Sequence, residues 1–413
     1  MILLCVFILF LIIIVNKIVF KKFLCYPTII AFIWFIDIIL TIINPYSMYE
    51  IPKNVYKYVA IFLGVFELSS ILYYKLGYKI KINDNIKINW SLINFGILFC
   101  IIFMIPFFVK GISIYFATHQ FSSIRNAYLN YEICSNSMYM FLTLIIIPFG
   151  EAIGYYTIIN FIKTKKANFS FYMFIVFMVE IIFASGGRAR IIYYLLLMII
   201  IILEDSKKIQ NLIRKNKKTL FFVLLFLIIV AIITNQRNLQ GKGLMYNFYV
   251  YLTGGLEILG RYEANPYRYL IKGSNLLNGQ VLFSSILYPI YFFLQFFGIE
   301  LKAGFYVVNE ITSLFIPISD ITTINNGGTF IYYALRDFGI VGIYIYTLLI
   351  SFVLSHLYKK KKKCSNYYNS AMFYFIFIKC IFLFNEFTLA QTSVLMTFIY
   401  FKLLTKRGDV NND

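Results

Sequence analysis

Residues 90–109 read WSLINFGILFCIIFMIPFFV, twenty positions without an acidic or basic side chain. Twenty helical residues rise about 30 Å, the thickness of a bilayer's hydrocarbon core. Runs of the same kind recur from Met1 to Leu404, at about 1–15, 23–43, 55–74, 138–161, 169–184, 191–204, 220–235, 338–358, 370–385 and 388–404. Together they predict an all-α polytopic membrane protein of about eleven transmembrane helices, a single integral membrane domain over 1–413.

The composition agrees with the runs. The 413 residues are 61% hydrophobic and 14% charged, against roughly 25% charged in soluble domains. An ordinary cytosolic enzyme is excluded. Net charge is +20, which in a soluble chain would point to nucleic acid, but the lysines sit mainly in short polar gaps between spans, so no nucleic-acid partner is expected. Cys5, Cys25, Cys100 and Cys380 lie in apolar runs and Cys134 stands alone in a loop, which is no disulfide framework.

Positive charge orients the spans. The first run is followed by Lys17, Lys21 and Lys22 and shows no small-residue cleavage site, so it reads as a retained span with its N-terminus outside. Each alternate gap is then basic. Lys75, Lys79, Lys81 and Lys87 fill one; Lys163, Lys165 and Lys166 the next; Lys207, Lys208, Arg214, Lys215, Lys217 and Lys218 a third. Lys359 to Lys363 and finally Lys406 and Arg407 complete the series, placing the C-terminus in the cytoplasm. Residues 235–337 form a large extracytoplasmic loop, far longer than usual helix connections. Within it 281–297 is apolar enough to span, but one added crossing would put Lys359 to Lys363 outside. That stretch is therefore expected to be interfacial or re-entrant, kinked at Pro289; a pair of added crossings, the second near 304–318, is the alternative. No internal repeat, low-complexity linker or soluble domain is visible.

Lysine dominates inside and arginine outside. Arg125, Arg188, Arg190, Arg237, Arg261, Arg268 and Arg336 fall in or beside the outer loops, where orientation does not ask for them. The planar fork of a guanidinium suits phosphate better than a lysine point charge does, so an anionic ligand at the outer face is implied. Ser185-Gly186-Gly187-Arg188-Ala189-Arg190 reads as a turn opening a helix whose free N–H groups and dipole favour an anion. Snorkelling of Arg188 and Arg190 into headgroups, or pairing with Glu180, is the plainer alternative. Asn325-Asn326-Gly327-Gly328-Thr329 leads into Arg336-Asp337-Phe338-Gly339, with Asn326 or Thr329 as cap. Thr329, Tyr332 or Tyr333, and Arg336 are spaced to share one helix face, and Gly339 and Gly342 to let a helix approach; an Arg336–Asp337 surface pair is the alternative. Inside the loop, Arg237, Glu257, Arg261, Glu263 and Arg268 set arginines beside carboxylates, suited to a sugar phosphate or equally to salt bridges that fasten a loop.

This pattern resembles the Wzy-type oligosaccharide repeat-unit polymerases of O-antigen and capsule synthesis. The resemblance covers the hydropathy plan, the Gly186–Arg188 turn, the large outer loop and the passage from Asn326 through Gly342. It implies a fold like the membrane-embedded GT-C-like glycosyltransferases, in the bacterial cytoplasmic (inner) membrane. It further implies transfer of a glycan from undecaprenyl diphosphate to another lipid-linked repeat unit at the outer face, without metal or other cofactor. Membrane lipid, a chain-length regulator and a flippase are the partners it suggests. The sequence offers only His119 and His356, no Asp-x-Asp, no Cys/His ligand spacing and no nucleotide-binding Gly-x-x-x-x-Gly-Lys loop.

Arginines would stabilise the diphosphate as it leaves. Arg188 and Arg336 are the expected catalytic cations, and Glu257 and Asp337 the expected catalytic carboxylates that take the proton of the attacking hydroxyl, with Glu263 and His119 as further candidates. Arg190, Arg237, Arg261, Glu263, Arg268, Asn326 and Thr329 are expected to bind substrate. Glu67, Glu151 and Glu180 lie in or near apolar runs, where a charge is costly. Such acids also suit proton-coupled transport, so a polysaccharide flippase or transporter is a rival reading, and an O-antigen ligase-like transferase a third.

Overall fold

A computed structural model describes residues 2–76, 86–205, 217–236, 243–266, 268–269, 276–295, 297–325 and 328–407. In chain order these form α1 (Ile2–Phe20), α2 (Tyr26–Ile43), α3 (Lys53–Lys75), β1 (Ile86–Ile88), α4 (Trp90–Thr118) and α5 (Phe121–Leu129). Next come α6 (Asn136–Phe141), which runs through a π turn (Leu142–Ile146) into α7 (Ile147–Thr164), then α8 (Phe169–Ser185), α9 (Ala189–Asp205) and α10 (Lys217–Gln236). The long segment between spans holds α11 (Leu244–Ala264), α12 (Ser284–Gln295), α13 (Gly304–Thr312), β2 (Ile316–Ser319), β3 (Thr322–Ile324) and α14 (Thr329–Phe338). The chain ends with α15 (Ile340–Lys363), α16 (Tyr367–Ile381), α17 (Thr392–Leu403) and β4 (Thr405–Arg407).

Six helices are long and apolar enough to cross a membrane: Tyr26–Ile43, Lys53–Lys75, Trp90–Thr118, Met138–Thr164, Ile340–Lys363 and Tyr367–Phe384. The protein is therefore a helical, multi-pass membrane protein. The other apolar runs form shorter helices: Cys5–Phe20, Phe169–Ser185, Leu220–Thr234 and Thr392–Leu403, together with the 17-residue α9. In the run over 388–404 only twelve residues are regular α-helix, because Phe382–Phe384 and Thr388–Ala390 tighten into single 3₁₀ turns around Asn385 and Glu386.

Two compact units build the chain. The first comprises 1–80, 245–359 and 379–392; the second comprises 81–244, 360–378 and 393–413. Within the second, α4 lies along α8 because Gly111 carries no side chain: a Cβ there would stand 1.8 Å from the carbonyl oxygen of Phe183. Gly150 and Gly154 of α7 admit the rings of Phe177 and Phe174 in the same way. In the first unit a Cβ on Gly255 would come 2.0 Å from the Phe384 oxygen, so α11 packs directly on backbone.

Within each unit the connections pair in two sets. In the second, β1 pairs antiparallel with β4, Lys163 Nζ donates to Ser365 O at 3.1 Å, and Lys361 bonds Glu204. At the other end, Gly186 sits against the Phe121 oxygen and the Arg125 nitrogen. In the first unit Lys359 Nζ reaches Leu76 O at 2.6 Å, whereas Tyr49 N donates to Ile318 O at 2.8 Å and Arg261 Nη2 to Glu50 O at 2.8 Å. Gaps that the charge rule assigns to one side pair with gaps assigned to that same side. Lys79, Lys81, Lys207, Lys208, Arg214 and Lys215 lie outside the described residues.

The segment 235–337 is mostly helical where it is described. Its α12 contains Pro289 and has twelve residues, a rise of about 18 Å that falls short of a bilayer. Around 304–318 a nine-residue helix turns into the β2–β3 hairpin. The unanticipated element is α11. Tyr46 packs edge-on against Tyr246 and Tyr249, and Gly260 abuts Ile51 and Pro52, so α11 lies along the connector between α2 and α3.

Gly111→Ala or Gly255→Ala should each cost about 1–3 kcal/mol, because backbone has to yield. Gly64→Ala, at a site with nothing within 4 Å, should leave stability unchanged or raise it by up to about 1 kcal/mol. Thermal unfolding of the purified protein in one detergent compares all three.

Candidate functional site

In the second unit α8 ends on Gly186 in the left-handed region (φ +60), whose N–H caps Ile182 O at 2.8 Å. A side chain there would strike α5 backbone, so glycine is required. Gly187 N–H donates to Ser185 Oγ at 3.2 Å, and α9 starts two residues later. Arg188 is 8% exposed. That burial does not suit a guanidinium snorkelling into headgroups, and Glu180 Oε2 has no hydrogen-bond partner among the described residues. Arg190 and Arg125 both act electrostatically on the phenols of Tyr128 and Tyr139, and Arg190 also on Tyr194, which in turn feels Glu151. The turn thus gathers three arginines with tyrosines and one acid.

In the first unit α14 begins on Gly328 (φ +69), where a Cβ would meet the Tyr262 ring at 2.7 Å. Thr329 follows with φ +65, a strained backbone for a β-branched residue. Its N–H donates to Asn385 O at 3.2 Å and its hydroxyl accepts from Ile331 N–H at 3.1 Å, so Thr329 tends the first turn from within. Asn326 lies outside the described residues, as does Arg237.

Residues 329–337 are all buried. Phe330 packs on Trp34 and Phe62, and Tyr333 stacks on Phe305 while donating to Asn309 Oδ1 at 2.9 Å. Tyr332 turns instead to Tyr262, centroids 4.2 Å apart, and donates to Tyr269 O at 2.8 Å. Arg336, one turn on, shares that face and the field of Tyr332. Of the two tyrosines open to the shared face, Tyr332 takes it. Burial pushes the Tyr262 and Tyr332 phenols up, leaving both neutral, and draws the Arg336 guanidinium down from its usual value without discharging it.

Arg336 is 3% and Asp337 0% exposed, so they form no surface pair. The Asp337 carboxylate accepts from the N–H groups of Gly279 (2.7 Å), Val281 (3.3 Å) and Leu282 (3.1 Å), and from the Tyr346 hydroxyl (2.7 Å). This is an anchor for the chain entering α12. Gly339 then breaks the helix (φ +63, ψ −150), and Gly342 lets α15 fold against Ala334 O, so the helix that glycine admits is the chain's own preceding turn.

The remaining expected residues are dispersed over α11 and its end. Glu263 accepts from Asn54 Nδ2 at 3.0 Å and Tyr58 at 3.5 Å, fastening α11 to α3. Arg261 lies over the Tyr49 ring at 4.6 Å as well as bonding Glu50 O, and Tyr49 donates to Asp320 at 2.8 Å. That bond to a carboxylate pushes the Tyr49 phenol up. Arg268 is exposed, its guanidinium 5.6 Å from the Tyr269 ring. Glu257 is 1% exposed. His119 is exposed at the end of α4, which belongs to the chain's second unit. Among the described residues no three His, Cys, Asp or Glu side chains gather to hold a metal ion.

Sequence reasoning missed Asp37, an acid inside an apolar run to which the rule applied to Glu67, Glu151 and Glu180 extends unchanged. It also missed that α11 is a helix, although Tyr249, Thr253, Glu257 and Arg261 recur every four residues along one row. Comparison with protein-family models, curated proteins and solved structures finds no match.

Asp337→Asn replaces an acceptor of four bonds with a group that carries donors of its own. It should cost about 1–3 kcal/mol and make 276–295 the first segment cut by protease, which limited digestion with mass spectrometry reads directly.

Proposed function

We propose that this protein polymerises undecaprenyl-diphosphate-linked oligosaccharide repeat units at the outer face of the bacterial cytoplasmic membrane, as a metal-independent glycosyltransferase of surface-polysaccharide synthesis with about eleven spans. The observation that carries the reading is the burial of Arg188 and Arg336. The bidentate fork of a guanidinium fits diphosphate, and both arginines lie beside segments that the charge rule assigns to the outer face.

Donor and acceptor are both lipid diphosphates under this reading. Taken one unit at a time, Arg125, Arg188 and Arg190 around the start of α9 are one group suited to a phosphate, and Arg336 beside the tyrosines of α14 is another. The paired rings of Tyr262 and Tyr332 are buried on the Arg336 side of α14, and the Tyr262 hydroxyl has no partner among the described residues. As the anomeric C–O bond breaks, negative charge grows on the donor's diphosphate and an arginine already in place stabilises it more than the ground state. The acceptor hydroxyl attacks the anomeric carbon and gives up its proton. Asp337, with four bonds already accepted, is the holder of the α14–α15 joint, which leaves Glu257 as the proposed proton acceptor.

Arg188→Ala and Arg336→Ala should each lower glycan polymerisation at least about a hundredfold while the protein still reaches the membrane, and Lys at either position should rescue poorly. A full-length glycan ladder from either alanine variant would overturn the reading. A deletion strain supplies the second check. Surface glycan of one repeat unit marks a lost polymerase, lipid-linked units trapped inside a lost flippase, and polymer left on its lipid carrier a lost ligase.

A further inference from the structure

Glu67 lies in α3 eight residues before Lys75, and Asn16 in α1 four residues before Phe20, about 12 Å and about 6 Å in from helix ends that the charge rule assigns to the cytoplasm. The two side chains touch within the first unit. Asn16 Nδ2 donates to Glu67 Oε2 at 3.0 Å, with Asn16 1% and Glu67 8% exposed. The other oxygen of each group, Glu67 Oε1 and Asn16 Oδ1, has no hydrogen-bond partner among the described residues. A carboxylate and a carboxamide thus set three acceptor oxygens against one bonded N–H.

The surrounding polar groups are occupied elsewhere. Cys25 and Tyr26, at the start of α2, are the titratable groups within the field of Glu67. The Cys25 thiol shares a bond with Thr28 Oγ1 at 3.2 Å, and the Tyr26 hydroxyl shares one with Ser355 Oγ of α15 at 2.7 Å. Ser69, two residues on from Glu67, donates to Ser351 Oγ of α15 at 2.7 Å. The lysines stand off: Lys17 is exposed with its Nζ 4.2 Å from the Phe23 ring, Lys75 is exposed, and Lys359 of α15 is spent on Leu76 O. Among the described residues no cation is hydrogen-bonded to Glu67.

A carboxylate buried with one donor and no cation has given up its hydration without replacing it. A divalent metal would want six or more oxygens around it, whereas one proton completes this pair. We infer that Glu67 and Asn16 form a proton-binding site, in which the carboxyl is protonated on Oε1 and its O–H is directed to Asn16 Oδ1, closing a two-bond acid–amide pair between α3 and α1. Binding takes a proton from water, forms one O–H bond and leaves the carboxyl neutral. Both unpartnered oxygens are satisfied by that single step. Turning the amide end for end exchanges the oxygen that carries the proton and leaves the count at one. Loss of the proton restores a bare charge beside an acceptor that repels it, so the proton is what seals α1 against α3 at this level. The site does not rest on the glycan reading, in which Glu67 has no part.

Infrared pH-difference spectroscopy of the full-length protein in lipid bilayers tests it. The wild type should show a protonated-carboxyl C=O band at neutral pH that is lost in Glu67→Gln. In Asn16→Leu that band should move to higher wavenumber, because its C=O no longer accepts the Nδ2 hydrogen. Thermal unfolding supplies a second readout. Glu67→Gln carries an N–H where the acid carries its O–H, so it keeps both bonds and should melt at or above the wild type at neutral pH. The gap should widen as pH rises, since the folded wild type holds a proton that the unfolded chain gives up, and stability then falls with rising pH. A Glu67 band absent at neutral pH, one unmoved by Asn16→Leu, or Glu67→Gln melting below the wild type would overturn the inference. So would a band abolished by sodium at fixed pH, which would show a metal-cation site instead.

Discussion

Asp337 sits where the long segment between spans becomes a membrane helix, and its carboxylate is the tie between the two. Three backbone N–H groups of 279–282 and the Tyr346 hydroxyl converge on it. Backbone donors buried away from water must be paired, and a carboxylate is the strongest acceptor a side chain offers them. With 276–282 held in this way, α14 is closed on one side, its aromatic residues are buried, and Arg336 is fixed one turn from Tyr332. Gly339 and Gly342 finish the joint by allowing α15 to leave at the angle that this packing requires.

Charge is scarce in this chain, and the scarcity makes each buried charge informative. Lysines pair at the ends that the charge rule assigns to the cytoplasm, as Lys361 does with Glu204 and Lys163 with Ser365. Two of the arginines assigned to the opposite face do not behave as solvated topogenic charges. Arg188 is folded into the turn between α8 and α9, and Arg336 into the wall of α14. The carboxylates divide similarly. Glu263 and Asp337 hold backbone or neighbouring helices, whereas Asp37 and Glu257 are buried, and Asp37 Oδ1 and Oδ2 and Glu257 Oε2 have no hydrogen-bond partner among the described residues.

Much of this was legible in the chain. Apolar runs of bilayer length give helices because a backbone in lipid has to bond within its own segment, and the six helices long and apolar enough to cross a membrane match six of those runs. The glycine turns at Gly186 and Gly328 were legible as chain reversals for a local reason, since both need a conformation that side chains resist. The role of Asp337 was not legible. Nothing in Arg336-Asp337-Phe338 says that a segment 55 to 58 residues earlier will bring three N–H groups to that carboxylate. Helix α11 was hidden for a related reason: its glycines and charges read as loop, and it is a helix because backbone of Phe384 and the 46–51 connector cover it.

The sequence by itself determined the helical membrane class, the pairing of sides implied by lysine and arginine, and the places where the chain must turn. These follow from local quantities: hydrophobic length, net charge per gap and the permitted φ of a residue. Only the tertiary structure decided that Tyr332 rather than Tyr333 accompanies Arg336 and that Asp337 anchors a distant loop. Those depend on which surfaces come within a few ångströms, and the cost or gain of burying a polar group is set by the partners that packing brings to it.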